Sequence, residues 1–82
     1  MIKKSVMRIG ATGLRVEEAQ KLLRLAGSTI QVNGVYSIGM YSAVKSFQKK
    51  NGLPATGVID PKTMDKLLMV RLRKPVRKRT KK

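Results

Sequence analysis

The sequence contains no Cys and no His. Without thiols no disulfide framework can staple the fold. Without imidazole or thiolate, the residues most used for transition-metal ligation and for proton transfer near neutral pH are missing. Carboxylates are nearly absent too, being limited to Glu17, Glu18, Asp60 and Asp65. Glu17 and Glu18 are neighbours that diverge around a helix surface, and Asp60 stands where a helix cap is needed. No catalytic residue, metal ligand or cofactor-binding residue is therefore expected, and the chain reads as a binder rather than an enzyme. Aromatic rings are limited to one Phe and two Tyr, with no Trp. Apolar runs are only a few residues long, against the ~20 that cross a bilayer, so no transmembrane segment is expected. Met1-Ile2-Lys3-Lys4 opens like a secretion signal, but Ser5, Arg8 and Gly10 interrupt the apolar stretch that should follow.

What is abundant is positive charge. Nineteen Lys and Arg face four acidic residues, a net of +15 over 82 residues. Such a balance favours polyanionic partners: nucleic acid, anionic lipid or an acidic wall polymer. The charge is uneven. Arg71, Arg73, Lys74, Arg77, Lys78, Arg79, Lys81 and Lys82 put +8 on residues 71–82 alone, leaving +7 on residues 1–70. The last twelve residues are expected to form an extended basic C-terminal tail, and guanidinium groups at that density suit phosphates.

The rest of the chain is patterned for helices. Val16, Ala19, Leu22, Leu23 and Ala26 recur at helical spacing, which predicts a helix over 14–26 closed by Gly27. Ile30, Val32 and Val35 alternate with polar residues in an extended stretch around the Asn33-Gly34 turn. Ser37 is a candidate cap for a second helix from about Ile38 to Lys50, with Met40, Ala43, Val44 and Phe47 inward. Asn51-Gly52 and Pro54 end it. Asp60-Pro61 places a preferred N-cap before a residue suited to the first helical position. A third helix should run to about Arg73, burying Met64, Leu67 and Leu68, with Pro75 ending it.

An internal echo links these pieces. Gly34-Val35-Tyr36-Ser37 before the second helix matches Gly57-Val58-Ile59-Asp60 before the third. Each copy is a glycine turn, two apolar residues expected to plug the core, a cap, and a helix. Two such units packed on the first helix would make a compact bundle.

The ordered motifs resemble the peptidoglycan-binding domain attached to many bacterial and phage cell-wall hydrolases. The family's opening Leu-Arg-x-Gly-Ser-x-Gly-x-x-Val-x-x-Leu-Gln run appears as Met7-Arg8-Ile9-Gly10-Ala11-Thr12-Gly13-Leu14-Arg15-Val16-Glu17-Glu18-Ala19-Gln20. Its central Asp-Gly-x-Phe-Gly turn and Ala-Val-x-x-Phe-Gln helix appear as Asn33-Gly34-Val35-Tyr36-Ser37 and Ala43-Val44-Lys45-Ser46-Phe47-Gln48. Gly52-Leu53 and Thr56-Gly57-Val58-Ile59-Asp60-Pro61-Lys62-Thr63 match its closing segment. Both family Asp-Gly turns have lost their Asp here, Ser37 and Asp60 replace glycines, and Met40 replaces a threonine.

The resemblance implies an all-α, compact three-helix bundle of the peptidoglycan-binding-domain type with short Gly turns. The expected organisation is an N-terminal extension over 1–9, the domain over 10–70, and the tail over 71–82. Gln20 and Gln48 are expected to satisfy loop backbone groups, and Phe47 to sit in the core. A glycan-binding face is expected at Asn33, Gly34, Tyr36, Ser37, Tyr41 and Lys45, with Tyr41 partly exposed and able to stack on a sugar ring. The partner would be peptidoglycan or an anionic wall polymer, placing the protein at the cell wall or on a phage particle. The alternative is a repurposed, cytoplasmic structural subunit within a larger assembly, such as a ribonucleoprotein or virion, binding RNA or DNA through the tail.

Overall fold

A computed structural model describes residues 6–73, with α1 at Leu14–Leu25, α2 at Ile38–Lys50 and α3 at Pro61–Arg73. Local chemistry marks the starts of α2 and α3 and the ends of α1 and α2. The Ser37 hydroxyl accepts the Met40 N–H at 3.4 Å and so caps α2. The Asp60 carboxylate does the same for α3 through the Thr63 N–H at 2.9 Å. That hydrogen bond holds the Asp60 carboxyl below its ordinary pKa. Two helices end in the same way. The Gly27 and Ser28 N–H groups return to Arg24 and Leu23 O after α1, and those of Gly52 and Leu53 return to Lys49 and Gln48 O after α2. This paired closure needs a residue with positive φ just past the helix, and Gly52 supplies it at +73°.

Helix α1 is the hub, packed against both α2 and α3. Its Val16, Ala19, Leu22 and Leu23 meet Met40, Val44 and Phe47 of α2 and Leu67 and Val70 of α3 in one core. The first two stripes are those that the periodicity predicts, with Ala26 and Ala43 at their margins. The third is rotated from expectation. Leu68 is 42% exposed and Met64 only half-buried, whereas Thr63, Leu67 and Val70 face inward. Thr63 draws the helix round because its hydroxyl is tied to Gln48 inside the domain.

The two turn-plus-helix units are present, with one correction to the reading of their apolar pairs. Only the second member of each pair plugs the core: Tyr36 and Ile59 are buried, while Val35 is 45% exposed and Val58 half-buried. Successive side chains on extended backbone point to opposite sides, so both cannot enter.

The segment read as an N-terminal extension, residues 1–9, joins the fold from Met7 onward. Met7 is a core residue, and its N–H and C=O exchange hydrogen bonds with Ile59 at 3.0 and 2.9 Å. The chain then runs past the other unit. Gly10 N–H donates to Tyr36 O, Tyr36 N–H to Ala11 O, and Gly13 N–H to Gly34 O. This strap makes two isolated antiparallel bridges, Met7 with Ile59 and Thr12 with Val35, and so ties both units together.

Gly57 and Gly52 have similar positive φ, +80° and +73°, but different surroundings. A Cβ on Gly52 would enter open space, whereas one on Gly57 would overlap the Tyr41 ring. Both alanine substitutions incur the left-handed backbone penalty of about 1–2 kcal/mol. Gly57→Ala should cost roughly 1–3 kcal/mol more, as expected for overpacking. Urea melts of the two variants beside the parent will measure that difference.

Candidate functional site

Two buried glutamines hold the turns that precede α2 and α3. Gln20, on the inner side of α1, accepts the Asn33 and Gly34 N–H groups at 2.9 and 2.8 Å through Oε1. Its Nε2 donates to Val35 O at 2.9 Å and to Asn33 Oδ1 at 3.2 Å. Gln48 of α2 repeats the device one unit later. Its Oε1 accepts Gly57 N–H at 2.9 Å, while Nε2 reaches Val58 O, Thr63 Oγ1 and Thr56 Oγ1. The loop-satisfying role expected for both amides is what the structure contains.

The expected glycan face divides. Asn33 is exposed, but its Oδ1 is occupied by Gln20 and by the Val35 N–H. Ser37 is exposed and caps α2. Two assignments are corrected. Gly34 is buried beneath Gln20, and Tyr36 is 1% exposed with its hydroxyl donating to Gly57 O, so neither presents a surface to a ligand. Burial pushes the Tyr36 phenol up to about 12. Tyr41 is half-buried, its ring packed against Gly57, and the Lys45 ammonium lies 5.4 Å from that ring's centroid. These two occupy the flank of α2 that faces the second turn.

The other flank of α2 borders a groove. Gly39, Ser42, Ala43, Ser46 and Lys50 form one wall, and the chain leaving α1 over residues 26–30 forms the other, around about 380 Å³. A second depression of about 240 Å³ shares Thr29, Ile30 and Gly39 with the first and continues toward Gln20, Asn33 and Ser37. Asn33 and Ser37 thus stand at one end of the groove, and Lys50 at the other. The sequence motifs singled out none of Ser28, Thr29, Gln31, Gly39, Ser42 and Ser46, which line this groove. The small residues at 39, 42, 43 and 46 do recur at helical spacing, which was the available signal.

Of the basic residues assigned to polyanion binding, Arg71 is exposed near the end of α3 and lies 3.7 Å from Glu18. Both side chains are more than half in solvent, so this pair adds at most about 1 kcal/mol. Arg73 is the last residue of α3. Lys74, Arg77, Lys78, Arg79, Lys81 and Lys82 lie outside the described residues. Among the described residues no three His, Cys, Asp or Glu side chains gather as a metal site, and no helix is long and apolar enough to cross a membrane.

Fold and site together define a small all-α domain of two turn-plus-helix units strapped across one central helix. The peptidoglycan binding domain family matches residues 12–67, and the chain belongs to that family. It is 43% identical over 60 residues to the carboxy-terminal processing protease CtpA of Bacillus subtilis, covering 73% of this chain and 13% of that protein. It is 41% identical over 64 residues to the spore cortex-lytic enzyme of Bacillus cereus, covering 77% and 25%. The chain therefore spans a quarter or less of the curated relatives it matches. Among solved structures, the SleB N-terminal domain superposes with a TM-score of 0.77 at 37% identity, covering 84% of this chain and 96% of that one. A peptidoglycan-binding protein from Clostridioides difficile, in complex with glutamine hydroxamate, gives 0.78 at 42% identity, covering 90% and 46%.

Replacing Gln48 by Leu removes the partner of a buried N–H and strands the Thr63 hydroxyl, so stability should fall by about 2–4 kcal/mol. A urea titration measures it. Tyr36 generates a pH effect. Its folded pKa lies above the unfolded value of about 10, so its contribution is complete below pH ~10 and is lost as pH rises toward ~12. Tyr36→Phe should flatten that alkaline loss relative to the parent in chemical denaturation run across the same range.

Proposed function

We propose that this domain binds peptidoglycan as a non-catalytic wall-targeting module, with the groove along α2 as its principal contact. One observation carries the proposal. In a member of the peptidoglycan binding domain family, the polar residues inside the fold are spent on holding the turns, while this groove remains open and lined by Ser28, Thr29, Ser42 and Ser46. Asn33 and Ser37 belong to its far end. Tyr41 and Lys45, on the opposite flank, offer a second and smaller contact. Hydrolytic or proteolytic chemistry, of the kind named for the relatives, would come from elsewhere than this domain.

The net charge of +15 supports an added role for residues 71–82. Arg71, Arg73, Lys74, Arg77, Lys78, Arg79, Lys81 and Lys82 would draw the domain to the carboxylates and phosphates of an anionic wall, or to nucleic acid. That attraction is long-range and is screened by salt.

Co-sedimentation with purified peptidoglycan tests both parts. The full chain should pellet with the polymer at low and high salt alike, and a 1–73 truncation should pellet at high salt equally well. If the full chain binds only RNA or DNA, with affinity falling steeply as salt rises, the wall-binding reading fails and the tail carries the function.

A further inference from the structure

The groove has a feature that the choice of polymer does not explain. Between the closure of α1 and the Asn33 turn, residues 29–32 form neither helix nor strand. Among the described residues, the N–H groups of Thr29, Ile30, Gln31 and Val32 donate to no protein acceptor. Of their carbonyls, only that of Ile30 is used, by the Arg24 guanidinium at 2.8 Å. Thr29 and Ile30 line both halves of the groove, and Gln31 the far half. The wall at Thr29–Gln31 is therefore a short backbone edge whose donors, and all acceptors but the Ile30 carbonyl, are unpaired within the protein.

The opposite wall suits close approach of another backbone. Gly39 has no side chain and Ser42, Ala43 and Ser46 carry small ones, and Ile30 and Phe47 supply apolar surface between the walls. Neither Tyr lines either half, and Phe47, the one aromatic residue there, is itself buried. Sugar rings are commonly held by flat, exposed aromatic faces, which this groove lacks. Lys50 is the one charged side chain among the residues that line it, and it stands at the end away from Asn33. An unpaired backbone edge, a narrow wall of small residues and a terminal cation are what an extended peptide with a free carboxylate requires. The edge supplies main-chain hydrogen bonds, and the cation meets the chain end.

Peptidoglycan offers both chemistries: sugar strands, and short peptides that branch from them and carry carboxylates. We infer that the groove holds the peptide portion of the polymer, extended along Thr29–Gln31 with a carboxylate toward Lys50. This inference rests on the wall-binding reading above and assigns the part of the polymer that is recognised.

The test uses the full chain in three arms. The first is intact peptidoglycan, the second the same material stripped of its peptides by an amidase, and the third a synthetic peptide, L-Ala-γ-D-Glu-L-Lys-D-Ala-D-Ala. All three are run at high salt, to suppress the tail. The expected result is retention on intact polymer, at least about tenfold weaker retention on the peptide-free strands, and peptide-induced NMR shifts at the Thr29–Gln31 amides. Lys50→Gln, which removes the exposed charge without reversing it at the end of α2, should weaken peptide binding by about tenfold, the worth of one charge-assisted hydrogen bond, in a domain that still melts cooperatively. Ser46→Trp should close the groove and abolish peptide binding. Peptide-free strands held as tightly as intact polymer would overturn the inference while leaving the wall-binding reading in place. No retention on intact polymer would remove that reading itself, and the inference with it.

Discussion

Two turns dip into the interior of this domain, and each would leave a buried glycine N–H unpaired were it not for one carboxamide. Gln20 serves the turn at 33–35, and Gln48 the turn at 56–58. An amide suits the task because it offers donor and acceptor together, and both faces of each turn are satisfied at once. The rest of the architecture hangs on these placements. With the first turn fixed, Tyr36 enters the core and Ser37 is set to cap α2. With the second fixed, Ile59 enters the core and Asp60 is set to cap α3. Gln48 also reaches Thr63, so the second turn and the first turn of α3 share one buried network.

The units are similar in design but not interchangeable. The first is held to the strap by a bridge at Thr12 and by the hydrogen bonds of Tyr36, the second by the reciprocal pair at Met7 and Ile59. The tyrosine hydroxyl of the first unit ends on the Gly57 carbonyl of the second. From the other side, the Tyr41 ring covers Gly57. The second turn is therefore clasped by two rings of the first unit. This explains why aromatic residues that look available for stacking in the sequence are committed to internal packing.

Much of the fold was legible in the residues. Ser37, Asp60-Pro61, Gly27 and Asn51-Gly52 mark helix ends through local effects, and α2 and α3 have the bounds that those signals predict. The inward face of α3 was not legible, because Thr63 is polar and its burial depends on Gln48, 15 residues away. Leu68 was the better apolar candidate by composition and is the more exposed in fact. The site was less legible still. Side-chain chemistry singled out the Asn33-Gly34 turn, yet Gly34 and Tyr36 lie under the surface. The groove arises only where the segment after α1 passes the small-residue flank of α2, a juxtaposition that no local motif encodes.

The strap has a consequence for how the domain is made. Met7 pairs with Ile59, so the most N-terminal described pairing joins residues far apart in the chain, and closing that loop is entropically demanding. A polypeptide growing from its N-terminus can form α1, and can bring α2 against it, before residue 59 exists. Residues 7–9 must wait. Met7 is secured only once Ile59 has been made, so a nascent chain that stops short of Ile59 holds an unfinished edge.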